Sequence, residues 1–157
     1  MFQGLILDRN TFEGSDENQI QEASLKSFDN ITLAFCKIHF IKEDTFYNLN
    51  TVKRLNLSNN KQSELPANSF LGCDQLEQLS LSSNQVHSLV QAQFAPLDSL
   101  RTLDLSNNIL SFIHADAFKN LGSSMQVINL QNNQLQTLSE VSLLPMAGLQ
   151  VRVHVIF

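Results

Sequence analysis

Few residues of this 157-residue chain could do chemistry, and they lie far apart. Two cysteines, Cys36 and Cys73, could form a disulfide if their Cα atoms came within about 7 Å. Four histidines, His39, His87, His114 and His154, offer imidazole nitrogens that bind zinc at about 2.1 Å when they converge. Serines and aspartates are common, but nucleophilic hydrolysis needs Ser, His and Asp held in one hydrogen-bonded line. The chain has no glycine-rich phosphate-binding segment. Two sequons, Asn30-Ile31-Thr32 and Asn56-Leu57-Ser58, could accept an N-linked sugar in a secreted chain. Which of these groups can act depends on the elements that hold them.

Those elements follow from a repeat of 24 residues. Leu55, Leu57 and Asn60 are answered by Leu79, Leu81 and Asn84, again by Leu103, Leu105 and Asn108, and one residue late by Ile128, Leu130 and Asn133. Counted from its first apolar residue, each repeat is apolar at positions 1, 4, 6, 11, 14, 19 and 22 and has Asn at position 9. The repeats open at Phe28, Val52, Leu76, Leu100 and Met125, the last delayed by one residue within Gly122-Ser123-Ser124. Cys36 takes the Asn slot of the first, while Gln62 and Cys73 take apolar slots of the second. A fixed period of this kind describes the coils of a solenoid.

Positions 4 and 6 lie two residues apart, the strand period, so both point inward and position 5 points to the opposite face. The expected strands centre on residues 31–33, 55–57, 79–81, 103–105 and 128–130, stacked about 4.8 Å apart in one parallel sheet. The back of each coil must hold the bulky residues of positions 19 and 22 in a loop or helical turn. A narrow strand side and a bulky back bend the stack, with the sheet on the concave face. Phe46, Phe70, Phe94 and Phe118 share position 19 and should stack there, with Leu143 breaking the column. Asn carries two donors and an acceptor. Asn60, Asn84, Asn108 and Asn133 should therefore form a structural column that binds backbone groups of their own coil and the next. Cys36, a weaker donor, would leave its junction looser.

The segments LNLSNN, LSLSSN, LDLSNN and INLQNN, each with a Phe or Leu ten residues beyond the Asn, resemble leucine-rich repeats. The repeat length and the position-19 Phe are similar to the extracellular class of Toll-type ectodomains, Slit and chaoptin-like adhesion proteins. The resemblance covers roughly Phe28 to Met146. It implies an α/β solenoid: a curved stack with a parallel sheet on the concave face and loops or short helical turns on the convex one. It also implies a disulfide-bonded cap at each end, whereas both cysteines here fall inside repeats. Phe2, Leu5, Leu7, Asn10 and Phe12 fit an earlier coil, and Val151 and Val153 fit a later one opened by Gly148. The expectation is one domain, 1–157, with an irregular coil 1–27, regular coils 28–51, 52–75, 76–99, 100–124 and 125–147, and a truncated coil 148–157. Such a chain reads as a fragment of a longer solenoid, with apolar coil interiors open to water at both ends.

Placed on this repeat, most of the candidate chemistry falls away. Cys36 (position 9) and Cys73 (position 22) sit at opposite corners of adjacent coils and are expected to be buried free thiols. His39 and His87 share position 12 but lie two coils apart, about 10 Å on strand spacing, which is too far to hold one zinc. Ser58, Ser82 and Ser106 repeat at position 7, where a corner favours small polar side chains. No catalytic set, metal site or cofactor site is expected, and the chain does not read as an enzyme.

The formal charge is −5 and charged residues make up 16% of the chain, with no basic run that would suit nucleic acid or anionic lipid. No apolar stretch approaches the roughly 18 residues of a membrane span, and the first residues do not form a secretory signal peptide. What remains is a surface. The concave columns hold Asp29, Asn30 and Thr32, Lys53, Arg54 and Asn56, Glu77, Gln78 and Ser80, Arg101, Thr102 and Asp104, then Gln126, Val127 and Asn129. Position 2 alternates in sign down the stack, which also screens neighbouring charges at under about 1 kcal/mol a pair. The expected contact residues are Lys53, Arg54, Glu77, Gln78, Arg101, Thr102, Asp104, Gln126 and Asn129, with Lys53, Arg54 and Arg101 as anchors. The partner expected is a protein ligand or a second copy of the chain, at the cell surface or outside the cell. A structural spacer within a longer ectodomain and an intracellular interaction scaffold are the alternatives.

Overall fold

The structure, a computed structural model, describes Gly4–Ile6 and residues 28–136 apart from 44, 48, 120, 122 and 123. Six strands form one parallel sheet in the order β1 (Gly4–Ile6), β2 (Asn30–Thr32), β3 (Arg54–Asn56), β4 (Gln78–Ser80), β6 (Thr102–Asp104) and β8 (Val127–Asn129). The register follows the repeat: Leu5 faces Ile31, Ile31 faces Leu55, and so on through Leu79, Leu103 and Ile128. The expected position 4 is thus the centre of each strand, one residue earlier than the apolar pair suggests. Position 6 still belongs to the ladder through its N–H, with Leu33 donating to Asn56 O at 2.8 Å and Leu57 to Ser80 O at 2.9 Å. The apolar pair marks which residues point inward, whereas the strand is bounded by which backbone groups pair.

The inward residues of positions 4 and 6 are buried in all five coils from Ile31 to Leu130. Behind them Phe46, Phe70, Phe94 and Phe118 stack at centroid separations of 6.0, 6.3 and 6.0 Å, nearly parallel in the first and last pairs. Coils therefore stand about 6 Å apart at the back and about 4.8 Å apart along the sheet. That wedge makes the sheet concave. Each coil turns its corner through a left-handed residue at position 8: Phe35, Asn59, Ser83, Asn107 and Asn132, with φ between 54° and 58°. Asn tolerates this conformation readily, whereas Phe35 adopts it at a steric cost.

The Asn column forms as expected but points the other way. Asn84 Nδ2 donates to Leu81 O of its own coil at 3.0 Å and to Leu57 O of the preceding coil at 3.0 Å, and Asn84 Oδ1 accepts from Gln62 N at 3.0 Å. Asn60, Asn108 and Asn133 repeat the pattern on the coils before them. Cys36 offers only a thiol, which reaches Ala34 O at 3.4 Å.

The convex side holds a second parallel pair, β5 (Ser88–Leu89) with β7 (Phe112–Ile113), at positions 13 and 14. The apolar pattern gave no sign of it, because a two-residue strand has too little alternation to read. Leu7, Asn10, Phe12, Leu138, Leu143, Met146 and the coil 148–157 lie outside the described residues.

Candidate concave interface

Along the strands, position 4 goes inward and positions 3 and 5 face the open side. Side chains from these two columns line a cleft of about 350 Å³ across β2, β3, β4 and β6. Position 3 contributes Asn30, Arg54, Gln78 and Thr102, and position 5 contributes Thr32, Asn56, Ser80 and Asp104. Of the expected contact residues, the cleft brings together Arg54, Gln78, Thr102 and Asp104. Lys53, Glu77, Arg101 and Gln126, at position 2, and Asn129 on β8 are not among its lining residues. Lys53, Arg101 and Gln126 are exposed, and Glu77 and Asn129 are half-buried. Asn30, Thr32, Asn56 and Ser80 line it too, with the buried Ile31, Leu55 and Leu79. Thr32 and Ser80 fell outside the expected contacts, although their column already placed them on this face.

The cleft's polar groups are partly fixed by the backbone. Asn56, Asp104 and Asn129 each accept, through Oδ1, the N–H two residues on, from Ser58, Ser106 and Gln131, at 2.9, 3.0 and 3.1 Å. These bonds fix the position-5 side chains where the strand ends. Arg54 Nη1 donates to Asn30 Oδ1 on the neighbouring strand at 3.0 Å. Polar side chains stand over Ile31, Leu55 and Leu79, with a guanidinium on β3 and a carboxylate on β6, two strands away. They can hydrogen-bond and pair with a partner's polar side chains.

The other sequence candidates sit elsewhere. Cys36 and Cys73 are both buried thiols and form no disulfide with each other. Burial, and to a lesser degree the nearby Asp74 carboxylate, push the Cys73 thiol from 9.0 up to about 12, so it stays protonated and unreactive. His87 Nε2 lies 3.6 Å from Glu64 of the preceding coil, an exposed contact. His114 Nδ1 accepts the Asp116 N–H at 3.0 Å and so holds a turn. Among the described residues no group of three His, Cys, Asp or Glu could hold a metal ion, and no helix is long and apolar enough to cross a membrane. Phe35 and Phe112, both more than half exposed, were not singled out by the repeat because their slots vary in polarity.

Comparison with known proteins agrees with this geometry. No curated protein matches the chain. Among solved structures, a chain from the Drosophila Toll–Spatzle complex superposes with a TM-score of 0.64 at 22% identity, over 70% of this chain and 14% of that one. The likeness is one of fold, and this chain spans only a small part of that relative's length. The leucine rich repeat sequence pattern matches residues 26–86 and 98–151, most of the chain. With the parallel sheet, the Asn column and the stacked Phe column all in register, the chain belongs to the leucine-rich repeat family.

Proposed function

We propose that this chain is a non-enzymatic protein-binding module of a cell-surface receptor or adhesion protein, and that its partner docks on the concave sheet. The observation that carries the reading is the cleft over β2, β3, β4 and β6, open to solvent, whose polar side chains are ordered by hydrogen bonds and stand over Ile31, Leu55 and Leu79. The structural relative is a chain solved in the Toll–Spatzle complex, a setting of protein partners. Lys53, Arg54 and Arg101 supply the positive anchors and Asp104 the negative one. Glu77, Gln78, Thr102, Gln126 and Asn129 surround them.

The test is binding of the tetramerised chain to a panel of cells, each displaying one secreted or membrane ectodomain, with this chain itself on the panel. A hit should weaken at least about tenfold, or 1.4 kcal/mol, with Arg101→Glu combined with Asp104→Lys. The same hit should survive Lys119→Glu on the exposed back of the coil. Binding that is indifferent to the concave charges would overturn the proposal.

A further inference from the structure

We propose that Asn30 and Asn56 are N-glycan acceptors, with their sugars rising from the β2–β3 end of the concave sheet. The inference rests on the extracellular reading above. Both residues open Asn-x-Ser/Thr triplets, but a triplet alone is a weak signal. The structure adds a reason in the amide nitrogens.

An N-linked sugar replaces one hydrogen of the Asn Nδ2, so that nitrogen must point into free space once the chain is folded. The column asparagines cannot meet this condition: Asn60, Asn84 and Asn108 each commit Nδ2 to three carbonyls in a buried corner. Asn30 and Asn56 are used the opposite way. Their oxygens are the bonded atoms, Asn30 Oδ1 to Arg54 and Asn56 Oδ1 to the Ser58 N–H. Among the described residues neither Nδ2 has a hydrogen-bond partner, and both side chains line the open cleft. The tied oxygen orients each amide and frees its nitrogen for a substituent.

The reaction is a transfer without redox change. The Nδ2–C bond forms to the anomeric carbon of the first N-acetylglucosamine. The bond from that carbon to phosphate in a lipid-pyrophosphate oligosaccharide breaks, and the amide proton leaves with the released lipid pyrophosphate. It takes place on the chain before folding, and the folded geometry decides whether the sugar is tolerated. The two sites are close, because Asn30 pairs with Arg54 and Thr32 pairs with Asn56 on adjacent strands. Thr102–Asp104 and Val127–Asn129 carry no sequon. Asn129 makes the same Oδ1 bond as Asn56 but has Gln131 where a hydroxyl is needed, so it serves as an internal control.

The experiment routes the full chain through a eukaryotic secretory pathway behind an added signal peptide, then removes N-glycans with an amidase in heavy-oxygen water. Peptide mass spectrometry should find labelled aspartate at both Asn30 and Asn56, and Gln131→Thr should add Asn129. Either sequon emerging bare in the secreted, folded chain overturns the assignment for that residue, most directly when Asn129 of Gln131→Thr is occupied. The extracellular reading fails separately. Fractionation of cells that make the protein naturally would then find it in the cytosol, while the routed chain still carried both sugars.

Discussion

Asn84 makes four hydrogen bonds in one buried corner, and they are not equally replaceable. Leu57 O also accepts from Asn60, but the buried Gln62 N–H has Asn84 Oδ1 as its acceptor. Asn84→Ala should therefore cost about 1–3 kcal/mol, the penalty of an unsatisfied buried group. It should appear as a lower urea midpoint with an unchanged slope. Asn84→Asp should be worse, because it keeps the acceptor, loses both donors and buries a charge. Cys73 makes a pH prediction. Its thiol ionises near 9.0 in the unfolded chain and only near 12 in the fold. The stability gained by keeping it neutral is fully present below pH 9 and is lost as pH rises through that window toward 12. Cys73→Leu, which matches Leu49, Leu97 and Leu121 of the same column, removes the titration. The stability difference between the two proteins should be constant below pH 9 and drift in favour of the variant above it, as followed by urea melts on both sides of pH 9.

Among the elements, the Phe column and the sheet share the work of stacking. Phe94 lies between Phe70 and Phe118 and is fully buried. Phe94→Ala should cost about 3–5 kcal/mol. Phe94→Leu should recover part of that and leave a deficit of about 1–3 kcal/mol, for two aromatic pairs at about 0.5–1.5 kcal/mol each. If Phe94→Leu proves as costly as Phe94→Ala in thermal melts, the column is held by shape and not by stacking. These two columns were legible in the sequence because the repeat superimposes like on like, and the same arithmetic set the register of every strand. The direction of the Asn bonds was not legible, since a column reads the same upward and downward. Only backbone geometry decides that position 9 reaches back. The cleft was legible as positions 3 and 5. The position-2 residues belong to the same face in a periodic reading and still fall outside its lining, because alternation breaks where the strand begins. Gln62 shows the reverse case. Its slot is apolar in every other coil, yet its side chain is buried, with Nε2 donating to Glu64 O and Oε1 unpartnered.

At the scale of the whole molecule, the concave face is a consequence of spacing. The stacked rings hold the coils about 6 Å apart where the sheet allows about 4.8 Å, so any partner meets a surface whose shape is set by residues it never touches. The sheet itself is continuous from β1 to β8, and no coil makes it alone. The backward reach of the Asn column then gives the stack an order in time. A ribosome releases the chain from its N-terminus, so Ile38 N–H must wait 22 residues for Asn60, Gln62 N–H 22 residues for Asn84, and Leu110 N–H 23 residues for Asn133. During synthesis each coil closes only when the next has emerged as far as its ninth residue, and the youngest coil on the ribosome is always the unlatched one.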